Sequence, residues 1–237
     1  MNTVILEERE NVLVLLTGLE SSKNDKTGDM LQVYILVRNQ HPIDAIRNGA
    51  DAAICGDCRL RGENGKGRIC YVQVHNAPTS MWHAYQRGVY GKVSLEELAS
   101  LVSGRNVRLG AYGDPAFMSP EVVRTIAIHS KDWTGYTHQW RKSEFEWLRP
   151  YVMASCDSWG DYAHAKSLGW RTFRVAKHGD ARKIGAEISC PASNESGKRS
   201  QCNDCRLCNG AHGADRRKDI VIQDHGKQAK NGLIQIG

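Results

Sequence analysis

The chain has 237 residues, of which 41% are hydrophobic, and a formal net charge of +6. A globular chain of this length buries roughly 70–75% of the surface its unfolded form exposes, enough for one sizeable core, and its longest apolar stretch, Val12–Leu16, is far short of the ~20 residues that span a bilayer. The positive balance gathers in Lys198-Arg199 and Arg216-Arg217-Lys218; with no aromatic residues interleaved for base stacking, these read as solvated surface, and an acidic partner or nucleic acid is the lesser alternative.

Residues Met1–Glu10 carry acidic side chains where a secretory signal needs a basic segment and a long apolar one. The chain is therefore expected in a reducing cytosol, where clustered cysteines serve as metal ligands more than as disulfides. Val12–Leu16 and Leu31–Val37 are the first strand-like runs, short, β-rich and bounded by turn residues.

Next comes the first half of the chain's most informative feature. Cys55, Cys58 and Cys70 have the spacing C-x2-C-x11-C. A two-residue spacer lets a tight turn aim both sulfurs at one point, so this is a metal-ligand pattern with three thiolates in hand. Closing the eleven-residue spacer costs roughly 2 kcal/mol, against about 10–16 kcal/mol for a structural metal site. Tyr71, Trp82 and Tyr85 follow closely, as packing residues or as the lining of an approach to this site.

Ser94-Leu-Glu-Glu97 is a capping box that opens a helix stopping at Gly104. The strand Val107–Ala111 then runs into Tyr112-Gly-Asp-Pro115, and Ser119-Pro-Glu121 supplies an N-cap with Pro at the first helical position. Tyr151–Ala154 is a further strand, followed by Ser155-Cys-Asp-Ser158 and a helix over Trp159–Leu168 that ends at Gly169. Cys156 in this segment is either a fourth ligand for the first group or a small buried apolar residue. Thr172–Val175 leads into Lys177-His178-Gly179-Asp180.

The second cysteine group is Cys190, Cys202, Cys205 and Cys208, spaced C-x11-C-x2-C-x2-C. The triple run resembles the loop that wraps a [4Fe–4S] cubane, with Cys190 as the remote fourth ligand, and [4Fe–4S] is preferred to zinc here. A last strand, Ile220–Ile222, ends in Gln223-Asp-His-Gly226.

Alternating strands and helices predict an α/β fold with a parallel sheet, a complete or partial (β/α) barrel of the TIM type, as a single domain over 1–237 with cysteine-rich segments at 55–70 and 190–208. Function on such folds gathers at the carboxyl ends of strands. Asp114 and His225, each in a short turn beside Gly or Pro, are the candidate catalytic residues there, whereas Asp157 reads equally well as a helix cap.

Residues 17–28, Cys55-Gly-Asp-Cys-Arg-Leu-Arg61 with Cys70-Tyr-Val72, Ala111–Pro115 and Cys202–Gly210 resemble a family of largely uncharacterised, cysteine-rich bacteriophage and prophage proteins over nearly the whole chain. The resemblance implies a phage-encoded iron–sulfur protein of the host cytoplasm with a barrel similar to that of radical-SAM enzymes. In that comparison Tyr112, Gly113 and Asp114 stand where a turn would approach SAM, although the cysteine spacing departs from C-x3-C-x2-C. The expectation is two [4Fe–4S] clusters serving electron transfer with an unidentified redox partner, or chemistry at an iron left open by the three-cysteine group. The alternative is a structural zinc protein that binds nucleic acid or a host protein.

Overall fold

Three apolar runs near the amino terminus pair in chain order, the first two joined by a short turn at residues 9–11. They are β1 (Thr3–Glu8), β2 (Val12–Thr17) and β3 (Leu31–Val37), antiparallel from β1 to β2 and from β2 to β3. Leu13, Val14, Leu15 and Leu16 are wholly buried, as consecutive apolar residues are when both faces of a strand are covered. The computed structural model describes residues 2–21, 24–176, 180, 185–197, 199–213 and 215–223.

From β3 onward the sheet is parallel through β4 (Asn106–Tyr112), β5 (Asp132–Thr137), β6 (Met153–Cys156), β7 (Thr172–Ala176), β8 (Glu187–Ser189) and β9 (Asp219–Gln223). The order across the nine strands is β1-β2-β3-β4-β5-β6-β7-β9-β8. The fold is thus α/β, but the sheet is open, with β1 and β8 at its edges; the closed barrel among the sequence expectations does not form. The antiparallel β1–β2 pair occupies the flank that closure would have needed, and the segment Gly91–Val93 meets the outer edge of β1 at the bridge Ile5–Lys92.

The helices are α1 (Pro42–Asn48), α2 (Ala52–Cys55), α3 (Ala77–Gln86), α4 (Leu95–Val102), α5 (Pro120–His129), α6 (Trp159–Ser167) and the single turn α7 (Cys202–Cys205). No helix among the described residues is long and apolar enough to cross a membrane. The capping signals work as the sequence leads one to expect. Ser94 and Glu97 form a reciprocal capping box on α4, Ser119 caps α5 with Pro120 at its first position, and Gly169, at φ 79°, lies just past α6.

Alternation along the strands sorts residues between two faces. On β4, Val107 and Leu109 join the main apolar core with Val122, Val123 and Ile126 of α5. Asn106 and Arg108 turn the other way, toward Asn203 and Tyr71, and Tyr112 ends the strand beside Cys55 and Cys70. A smaller apolar cluster contains Met153, Cys190, Cys208, Ile220 and Ile222, with Tyr136 and Phe173 packed on it; the Tyr136 and Phe173 rings are 4.4 Å apart.

Candidate metal centres

The first group is built by the segment after β3. α2 ends at Cys55, Cys58 opens a 3-10 turn over Arg59–Arg61, and the chain returns so that the Cys70 amide donates to Leu60 O at 2.9 Å. Arg61 reaches back to Asp51 at 2.6 Å, and Arg68 donates to the carbonyls of Cys70 (3.1 Å) and Val72 (3.2 Å). These contacts close the eleven-residue loop on itself and bring Cys55, Cys58 and Cys70 within electrostatic reach of one another. Burial, and then the neighbouring sulfurs, push the Cys55 thiol well above its ordinary pKa, and burial raises that of Cys70.

The loop is fastened beyond the carboxyl ends of β4 and β5. Asp114 N donates to Ile54 O at 2.8 Å, Gln139 Nε2 to Cys55 O at 3.1 Å, and Lys142 pairs with Asp57 at 3.4 Å. This places His138, the residue after β5, beside Cys58. Burial works against a charged His138 ring, but Asp157 and the Cys58 sulfur outweigh it and raise its pKa well above the usual histidine value. Nε2 of His138 is 3.5 Å from Asp157 Oδ2, longer than a formed hydrogen bond. That Nε2 and Asp157 Oδ1 are buried without a hydrogen-bond partner. Sequence reading did not single out His138; the available signal was its place directly after a strand, and β5, with Gly135 and polar Thr134 and Thr137 in it, was not recognised.

Several expected site residues take other roles. Asp114 is a cap: Oδ1 accepts from Ala116 N at 3.0 Å and Oδ2 from His138 N at 2.8 Å, so both oxygens are committed to backbone. Gly113 serves packing, since a Cβ there would lie 2.6 Å from Ile35 Cβ and 2.7 Å from Ile35 O. Tyr112 is buried beside Cys55 and Cys70. Asp157 does not cap α6; the Ser158 side chain does, accepting from Asp161 N. Cys156 is wholly buried with Ala154, Ala165 and Trp170; on β6 it alternates with Met153 and Ser155, and Met153 packs with Cys190 and Cys208, while the charges nearest the Cys156 thiol are Asp161, Asp157 and Arg141. Trp82 and Tyr85 pack α3 against the strand ends, donating to Arg38 O (3.1 Å) and Glu8 Oε1 (2.5 Å). His225 and residues 177–179 and 224–226 lie outside the described residues.

The second group is anchored at the starts of β4 and β5 and reaches along β5 to Gly135 and Tyr136 and across to β9. Asn106, the first residue of β4, donates to the carbonyl and side-chain oxygens of Asn203, both at 2.9 Å. Asn209 Nδ2 donates to Asp132 Oδ1, at the start of β5, at 3.1 Å. The 24–28 turn supplies further anchors, with Cys202 N donating to Lys26 O at 2.9 Å and Asn203 N to Thr27 O at 3.1 Å. Cys208 O accepts from Gly135 N at 2.8 Å, Cys190 N donates to Val221 O at 2.8 Å, and buried Arg171 donates to Leu207 O and Asn209 O at 2.8 and 2.9 Å. Cys190, Cys202, Cys205 and Cys208 are thereby gathered into one electrostatically interacting set. Burial pushes the Cys208 thiol up to about 12, and the Tyr136 hydroxyl, hydrogen-bonded to it, pulls the other way.

Between the groups stands Arg108. Its Nη2 donates to Tyr71 OH at 2.7 Å, its charge interacts with Tyr71, Tyr136, Cys202 and Tyr34, and its buried Nε has no hydrogen-bond partner. No cysteine is in a disulfide. Among the described residues no three His, Cys, Asp or Glu side chains converge closely enough to hold a single metal ion as they stand; the thiols share a neighbourhood without being pre-set for one ion. No protein-family model, curated protein or solved structure matches the chain.

Proposed function

We propose that this protein is a two-centre iron–sulfur redox protein, with Cys55, Cys58 and Cys70 holding one cluster beyond the carboxyl ends of β4 and β5 and Cys190, Cys202, Cys205 and Cys208 holding the other beside β5 and β9. The observation that carries this reading is the sorting of seven cysteines into two thiol sets, each fastened by backbone and side-chain hydrogen bonds from several elements. The donor chemistry suits the clusters. Thiolate-ligated iron–sulfur centres are anionic, and Arg108 and Lys26 place positive charge by Cys202, with Arg108 set among Tyr71, Tyr136 and Tyr34.

When bound, such clusters supply one-electron transfer at potentials set by charge, hydrogen bonding and exposure. The residues of this chain set those conditions. Tyr136 hydrogen-bonds the Cys208 sulfur, Arg108 places positive charge by Cys202, and Cys190 and Cys208 are buried while Cys202 and Cys205 are partly exposed. The open, mostly parallel sheet suits a partial barrel similar to that of radical-SAM enzymes. The first cysteine segment follows the first parallel strand and sits at the carboxyl rim, the customary place for chemistry on such folds. A phage-encoded protein of the host cytoplasm with a separate redox partner completes the proposal; zinc in either site is the alternative.

Anaerobic purification followed by iron, sulfide and zinc quantitation tests it. Two cubanes give about eight iron and eight sulfide per chain and visible absorption. Stoichiometric zinc with a colourless protein would replace the redox reading with a structural one.

A further inference from the structure

We infer that His138 is the fourth protein ligand of the first centre, giving a three-cysteine, one-histidine site, and that Asp157 is the residue that positions its ring. This rests on the iron–sulfur reading above and assigns the coordination position that the cysteines leave unfilled.

Four observations converge on it. The His138 ring lies by Cys58, and its charge acts on Cys70 as well. The backbone at this residue is fixed, because His138 N donates to Asp114 Oδ2 at 2.8 Å and Asp114 is itself tied to Ile54 at the root of the cysteine loop. Gln139, the next residue, grips the Cys55 carbonyl. The fourth is a loose contact: His138 Nε2 and Asp157 Oδ2 form an ion pair at 3.5 Å, while the buried Nε2 and Asp157 Oδ1 have no hydrogen bond.

Buried polar atoms in a folded protein are nearly always satisfied, so a histidine and an aspartate left slightly apart in a cluster of thiols mark a site that tightens when filled. Metal-bound histidines characteristically donate their second ring N–H to a carboxylate, which fixes the tautomer and the ring orientation. With Nε2 turned to Asp157, Nδ1 is the nitrogen left for the centre. Cys156 is the weaker candidate, because alternation along β6 turns it away from the face on which Met153 packs with Cys190 and Cys208, and the charges nearest its thiol are Asp161, Asp157 and Arg141. A histidine in place of one thiolate also raises the potential of an iron–sulfur centre, so the two centres of this chain would differ in potential and favour electron flow toward the His138 side.

The test uses the full chain, reconstituted anaerobically, reduced, and examined by pulsed EPR with and without ¹⁵N-histidine labelling. A strong histidine-nitrogen hyperfine coupling is expected in the wild type. In His138→Cys it should vanish while iron remains near the wild-type count and the midpoint potential of that centre falls. Because His138→Cys keeps four ligands, it holds the test open where His138→Ala fails to fold. Asp157→Asn should keep the coupling, change its quadrupole splitting, and lose iron to a chelator roughly 10-fold faster, the scale on which such partners act. Full iron content without histidine coupling in the wild type would overturn the assignment of His138 and leave the two-cluster reading intact, whereas absence of iron and sulfide would overturn that reading itself.

Discussion

At the scale of single residues, what separates a ligand from a packing residue in this molecule is the face of the strand it occupies. Cys156 and Ser155 are adjacent on β6, yet only one of any two successive positions faces the second cysteine group. Met153 packs with Cys190 and Cys208, which puts Cys156 on the opposite side of β6 from that group, so Cys156→Ala should leave iron content and both EPR signals unchanged and cost about 1 kcal/mol of stability, from the small cavity; disappearance of either signal would restore it to the ligand set. Asp114 matters for another reason. Each of its oxygens accepts from a backbone amide, Ala116 N and His138 N, and Asp114→Asn turns an amide N–H toward one of those donors. The expected loss is roughly 1–3 kcal/mol in denaturant unfolding, the penalty for an unsatisfied buried polar group, accompanied by weaker retention of iron at the first centre, because His138 is released.

At the scale of elements, the second cysteine loop is held far more by tertiary anchors than by its own secondary structure. α7 is a single turn of four residues, Cys202–Cys205, too short to persist alone. Cys205→Ala removes a ligand from a loop that joins the 24–28 turn, β4 and β5, so iron should fall by about half and the melting temperature should drop with it, since metal binding and folding are coupled; unchanged iron and melting temperature would exclude Cys205. The chain after Cys208 has its own clasp, in which Arg217 holds the Asp215 carboxyl well below its usual pKa. A depressed carboxylate stabilises the fold above its unfolded pKa of about 3.9 and loses that contribution as pH falls through the folded value. The melting temperature of the wild type should therefore fall on acidification below about pH 4 more steeply than that of Asp215→Asn. Elements with local signals were legible in the sequence: the capping box at Ser94, the Ser119-Pro120 start, and apolar runs such as Leu31–Val37, whose bounds the structure reproduces. β5 and β8 were not, because Asp132–Thr137 and Glu187–Ser189 are polar and become strands through parallel pairing with distant partners. His138 was hidden with β5, and the separate placement of the two cysteine groups depends on topology, which spacing does not encode.

At the scale of the whole molecule, the sheet separates two thiol sets while leaving one cation between them. Arg108 comes from the middle of β4, and its side chain meets Tyr71, which follows Cys70, and acts on Cys202 in the second set. A fixed positive charge stabilises the reduced, more negative form of a nearby cluster, and buried surroundings screen it weakly. Arg108→Gln keeps a polar side chain of similar reach and removes only the charge. Iron content should stay near that of the wild type, while the midpoint potential of the Cys190–Cys208 centre falls on the order of 50 mV, a little over 1 kcal/mol for a one-electron couple. The first centre should move less, because Arg108 approaches it through the neutral hydroxyl of Tyr71 and Arg68 supplies a second cation beside Cys70. Potentiometric titration monitored by EPR resolves the two shifts separately. Equal shifts at both centres would mean that Arg108 acts on the fold as a whole, and no shift at either would remove it from the electrostatics of the clusters.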